Sequence, residues 1–194
     1  MTNDLIKFTA VIICFCIAAT GGRNVLNKRD SRFLLTAMLL TVFADFFLLV
    51  VYIYPVGILF FCAVQTCYNV RFGGTRVIKV LLLTLILPVA FFAVHGDILV
   101  TFSLLYAQLF VLSYWRMLVA LRKKTYPAPN NLLIFLGMTA FVLCDISVAI
   151  WNLGGMGIIT NPSVVGFAGD AIWLFYAPSQ VCLALSGRRF SAAP

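Results

Sequence analysis

Apolar residues run in seven windows along the chain, at 5–22, 33–52, 56–70, 77–94, 98–118, 132–151 and 164–186, with polar and basic residues gathered between them. A helix rising 1.5 Å per residue needs about 20 such residues to cross a hydrocarbon core of about 30 Å. The pattern predicts an all-α, polytopic transmembrane helix bundle of about seven spans, with eight as the alternative count because the third window is short. The longest breaks are 21–32, 122–131 and 152–163, too short for a soluble domain. A single integral-membrane domain over 1–194 is expected.

Composition sharpens this. The chain is 63% hydrophobic and only 10% charged, where about 25% charged is ordinary for a soluble domain, and its mean hydropathy is +1.06. Lys and Arg near span ends mark the cytoplasmic side. Placing the N-terminus outside and the C-terminus in the cytoplasm puts Arg23, Lys28, Arg29, Arg32, Arg71, Arg76, Lys79, Arg116, Arg122, Lys123, Lys124, Arg188 and Arg189 on the inner side, thirteen of the fourteen cations, and leaves only Lys7 outside. The net charge of +8 is therefore a topology signal with added attraction to anionic headgroups. A nucleic-acid partner would need a basic face on a soluble domain, and none is expected. The expected location is the cell membrane, with membrane lipids as neighbours.

The six cysteines, Cys14, Cys16, Cys62, Cys67, Cys144 and Cys182, all lie in apolar windows and read as small packing residues. No metal-ligand spacing appears, and the single histidine, His95, sits in a turn with no second histidine to form a zinc site. Neither metal nor cofactor is expected. The first window lacks a basic leader and a small-residue cleavage site, so it reads as retained. Pro88 and Pro178 fall within windows, where each can kink a helix. Tyr52, Tyr54, Trp115, Tyr126 and Trp151 stand at window ends and read as interfacial belt residues.

Candidate chemistry begins with two carboxyls. Asp45 and Asp145 lie inside windows that carry no other charge, and an ionisable group in hydrocarbon is by default a functional-site hypothesis. They stand roughly 18 and 20 Å from the inner starts of their helices, so their depths match. Tyr176 and Gln180 are four apart and share a helix face, as do Gln65 and Tyr68, three apart. Gln108, flanked by Ser103 and Ser113, adds a fifth-window contribution. Together these residues suggest a polar pocket running from the aspartates toward the inner leaflet.

At these residues the chain resembles the YhhN family of multispanning membrane proteins, which includes the lysoplasmalogenases. The resemblance rests on Phe43-Ala44-Asp45 with Leu48, on Gly57 to Phe61 leading to Gln65 and Tyr68, on Leu143-Cys144-Asp145, and on Phe175-Tyr176-Ala177-Pro178-Ser179-Gln180. Departures are Ala44 and Cys144 before the aspartates, where the family commonly has Gly and Ser, and Gln65 where it commonly has His. The family also commonly has Lys-Pro at the start of the second span, where only Arg29 to Arg32 lie nearby. It is often described with eight spans.

The resemblance implies hydrolysis of the vinyl ether bond of a lysoplasmalogen, with a lysophospholipid as substrate and a fatty aldehyde and glycerophospho-alcohol as products. Asp45 and Asp145 would be catalytic, one protonating the vinyl ether and the other stabilising the cation and orienting water. Gln65, Tyr68, Gln108, Tyr176 and Gln180 would bind substrate or orient these groups. Mid-membrane carboxyls equally suit a proton-coupled transporter of lipids or small molecules, and a noncatalytic lipid-binding bundle is a third reading. A retinal photoreceptor is excluded because the seventh window has no lysine.

Overall fold

A computed structural model describes residues 2–21, 25–74 and 76–190. Arg23 and Gly22, which the sequence reading placed in the first inner segment, lie outside them. Every apolar window becomes helix. The elements are α1 Thr2–Ala19, α2 Lys28–Asp45 with a π-helical turn at Phe46–Val50, α3 Tyr54–Gly73, α4 Val77–Thr84, α5 Ile86–His95, α6 Ile98–Arg122, α7 Asn130–Gly155 and α8 Pro162–Leu185. Among the described residues there are no strands, and one isolated antiparallel bridge joins Val25 to Arg188. Four stretches, Lys28–Val50, Tyr54–Gly73, Ile98–Arg122 and Asn130–Gly155, are long and apolar enough to cross a membrane.

Helix ends follow local chemistry. Asn27 accepts a hydrogen bond from the backbone N–H of Arg29 and starts α2, Asp97 accepts from Val100 and starts α6, and Asn161 accepts from Ser163 and Val164 ahead of Pro162 in α8. Each satisfies N–H groups that the first helical turn leaves free. The third window proves longer than its apolar core, because α3 carries its helix on through Asn69, Arg71 and Phe72 to Gly74, where a left-handed φ of 62° ends it.

The fourth window divides. Pro88 has no N–H for the carbonyl of Thr84, four residues earlier, and the helix breaks at Leu85 between α4 and α5. The Thr84 hydroxyl donates back to the carbonyl of Val80 at 3.0 Å. Pro178 sits within α8 without dividing it.

Six helices form a ring in the order α1, α2, α3, α6, α7, α8 and back to α1, while α4 and α5 lie outside it against α3 and α6. Helices in lipid associate through close packing and polar contacts more than through hydrophobic exclusion. Glycines let α7 and α8 pack tightly: a Cβ on Gly154 would stand 2.5 Å from Val165 Cγ2, and one on Gly137 2.8 Å from Leu183 Cγ. Between α3 and α6 the contact is polar, with Asn69 Nδ2 donating to the carbonyl of Leu109 at 2.8 Å and Ser113 Oγ to Gln65 Oε1 at 2.7 Å. The core inside the ring holds Met38, Tyr68, Met117, Ile134, Met138, Phe141 and Leu183.

Candidate active site

Asp45 is the last α-helical residue of α2, immediately before the π-helical turn. Such turns add a residue to the helical repeat and recur at functional sites. Its carboxyl is 4% exposed and accepts the Tyr176 hydroxyl of α8 at 2.6 Å. Asp145, in the middle of α7, accepts the Tyr106 hydroxyl of α6 at 2.6 Å and is less enclosed. The same motif, a carboxyl capped by a tyrosine from a neighbouring helix, thus occurs twice.

The two pairs are neighbours. The Cys144 thiol lies within electrostatic reach of both carboxyls, and the Tyr176 hydroxyl within reach of Tyr106. Phe141 fills the space between them, its ring 6.0 Å from Tyr176, 6.1 Å from Phe61 and 5.2 Å from Phe110, while Phe61 and Phe110 lie 6.0 and 5.8 Å from Tyr106. Neither carboxyl forms a salt bridge among the described residues. Each keeps one oxygen outside its tyrosine contact, beside a cluster of aromatic rings.

The other expected site residues divide. Gln180, one turn beyond Tyr176, is 1% exposed and leaves both amide atoms without a hydrogen-bond partner. It borders an apolar groove of about 170 Å³ between α1 and α8, formed by Val11, Cys14 and Ile17 on one side and Trp173, Tyr176 and Ala177 on the other. Gln65 is held by Ser113 through its oxygen, while its Nε2, close to the Tyr106 hydroxyl, makes no well-formed hydrogen bond.

Tyr68 lies toward the basic end of the bundle, its hydroxyl on Met38 Sδ at 3.9 Å and its ring stacked on Phe72. Gln108 turns its amide back to the carbonyl of Leu104 in its own helix at 3.3 Å. Neither makes a hydrogen bond with the tyrosine-capped carboxyls. Gln65 and Ser113 instead continue the Asp145–Tyr106 pair toward the basic end, while Tyr68 and Gln108 stand apart from that series.

Tyr106 is the residue that sequence reasoning missed. It stands seven residues before Ser113 and four before Phe110, so those three share the inward face of α6. Gln108 drew attention by polarity, but its position is rotated roughly 140° from Ser113.

Two further expectations change. Tyr126 is buried, not interfacial, and donates its hydroxyl to Asp30 Oδ1 at 2.7 Å. Arg71 is likewise no surface cation: its Nε and Nη2 bind Asp30 at 2.9 and 3.0 Å. Desolvation explains both, because a buried arginine needs a carboxylate and that carboxylate needs further donors. Burial also pushes the Tyr126 phenol above its ordinary pKa, against the opposing influence of Arg71, so it remains a donor.

The chain belongs to the YhhN family. The match covers residues 2–187 and so includes both tyrosine-capped aspartates and every helix. No curated protein and no solved structure matches the chain. Among the described residues no group of His, Cys, Asp and Glu could hold a metal ion. Within this YhhN protein the buried groups at the level of the two aspartates include carboxyls, phenols, amides and the Cys144 thiol.

Proposed function

We propose that this protein is a lysoplasmalogenase-like intramembrane hydrolase that cleaves the vinyl ether bond of lysoplasmalogens. The observation that carries the reading is the pair of neighbouring aspartates, each capped by a tyrosine and neither neutralised by a cation. Membership of the YhhN family supports it, together with the resemblance to its lysoplasmalogenases.

The reaction needs one proton on carbon and one water. A carboxylic acid protonates the β-carbon of the vinyl ether, and the electron pair of the double bond forms the new C–H bond, leaving an oxocarbenium ion at the ether carbon. Water attacks that carbon while the second carboxyl takes its proton, giving a hemiacetal. Collapse of the hemiacetal breaks the bond to the glycerol oxygen: the now protonated second carboxyl gives its proton to that oxygen, which leaves as an alcohol. The first carboxylate takes the hydroxyl proton, so the fatty aldehyde is released and both carboxyls return to their starting states. Asp45, the more enclosed group, is assigned as the acid, and Asp145 as the group that receives the water proton. Tyr106 and Tyr176 hold the carboxyls in place, and Phe61, Phe110 and Phe141 keep bulk water from the cation. The groove between α1 and α8 would take part of the alkenyl chain, and the unpaired amide of Gln180 would hydrogen-bond an oxygen near the scissile bond.

In this reading the helices form seven spans, α4 and α5 together making one, with the N-terminus outside and the basic loops in the cytoplasm, in keeping with the distribution of cations. The cell membrane is the proposed location. Lysophospholipid is the proposed substrate and membrane lipids are the proposed neighbours. Carrying out the reaction in deuterium oxide and trapping the aldehyde at once tests the chemistry. One deuterium on the carbon next to the carbonyl is expected from β-carbon protonation, and aldehyde without it would contradict the mechanism.

A further inference from the structure

At the basic end of the bundle, far from the aspartate pairs, the start of α2, the end of α3 and the loop at 123–129 line an open cavity of about 340 Å³. Its wall includes Arg29, Asp30, Arg71, Gly74, Thr125 and Tyr126. Arg71 is 7% exposed. Its Nε and Nη2 are committed to Asp30, and Nη2 also to Ser186 Oγ at 3.0 Å, but Nη1 is buried and without a hydrogen-bond partner. A guanidinium offers five N–H donors in a planar fork suited to phosphate. Leaving a charged group's donors unmet in a buried position is unfavourable.

The surrounding charge favours an anion. Asp30 offsets Arg71, and both its oxygens already accept hydrogen bonds from Arg71 and Tyr126. Arg29 stands exposed at the rim, its Nη2 on the carbonyl of Gly74 at 3.3 Å. Lys28, Arg32, Lys123 and Lys124 flank the same segments, and Asp30 is the sole carboxylate within 28–32, 71–76 and 122–131. The volume falls in the range of small-molecule sites, so it has room for a phosphate with its substituent. Basic pockets between helices at this side of a membrane bind anionic headgroups.

We infer that this cavity is a phosphate site, taking a phosphate ester either as the headgroup of an anionic phospholipid or as a soluble molecule. It is separate from the aspartate site. Fifteen residues of α2 separate Asp30 from Asp45, roughly 22 Å along the helix, and the three carbons of a glycerol cannot bridge that distance. A lipid reacting at Asp45 therefore cannot place its own phosphate here, and the occupant is a second molecule. Bound phosphate would join α2, α3 and the 123–129 loop through Arg71, Arg29 and Thr125. A ligand of the folded state raises the unfolding temperature by mass action.

The test uses the full chain purified in neutral detergent, with thermal unfolding and native mass spectrometry as readouts. Inorganic phosphate, glycerol 3-phosphate, dioleoylphosphatidylglycerol and dioleoylphosphatidylcholine are compared at constant ionic strength, with chloride as the reference anion. One phosphatidylglycerol per chain and a raised unfolding temperature, with no such effect of phosphatidylcholine, would support a lipid headgroup. An equal shift with glycerol 3-phosphate or phosphate would support a soluble source. Substituting Arg71 dismantles the ion pair, so the variants are Arg29→Gln and Thr125→Glu, both at exposed positions. Each is expected to weaken binding about tenfold. Unfolding temperatures that no phosphate compound moves beyond chloride and phosphatidylcholine, or binding unchanged in both variants, would overturn the inference.

Discussion

Asp30, Asp45 and Asp145 each accept a tyrosine hydroxyl at 2.6 to 2.7 Å from another segment, yet their surroundings differ. Asp30 at the basic end has Arg71 on both oxygens, so its charge is answered and the cluster ties α2, α3, the 123–129 loop and, through Ser186, the chain after α8. Asp45 and Asp145, at the level of Cys144 and Phe141, have a tyrosine but, among the described residues, no cation. Neutralisation makes the first carboxylate structural. In the proposed mechanism its absence leaves the other two carboxyls free to exchange a proton with a bound molecule, which is what general acid and base chemistry requires.

The largest expected effect breaks the unneutralised pairs. Asp45→Asn or Asp145→Asn keeps the side chain's shape and its contact with tyrosine, and should lower aldehyde release by about 10²- to 10⁴-fold, the range for a general acid or base. Circular dichroism should show helix content as in the wild type. Removing a partner from the neutralised cluster should do the reverse. Arg71→Met leaves Asp30 buried with tyrosine alone and should cost about 3 to 5 kcal/mol of stability, read as a fall in the unfolding temperature in detergent.

The tyrosines sharpen the contrast. Tyr106→Phe and Tyr176→Phe each remove one hydrogen bond from a site carboxyl and should reduce turnover about tenfold, near the lower end for a hydrogen bond to a charged group. Tyr126→Phe removes the equivalent bond from Asp30, where Arg71 remains. It should cost about 1 kcal/mol of stability and leave the rate of aldehyde release within twofold of the wild type.

The helices were legible because long apolar windows have few alternatives in a membrane, and the deep aspartates were legible because charge is so rare there. The partners of those aspartates were harder to read. Tyr176 stood out beside Gln180, but Tyr106 lies among apolar residues and only the packing of α6 against α7 brings it to Asp145. Gln108 looked equally polar and turned back on its own helix, because a half-buried amide without a facing partner takes the nearest carbonyl. The Asp30 and Arg71 pair was hidden for another reason. Forty-one residues separate the two, and cations at helix ends read as solvated until the fold shows what covers them.

The central claim is that the two tyrosine-capped carboxyls act together, and fatty-aldehyde release from a lysoplasmalogen by the purified protein tests it most directly when measured beside Asp45→Asn and Asp145→Asn. The account predicts release by the wild type and its loss in each variant while all three remain folded and bind the lysolipid. Wild-type rates in either variant would contradict the two-carboxyl mechanism. A wild-type protein that binds lysolipid and releases no aldehyde would make the pairs groups of a binding or transport protein.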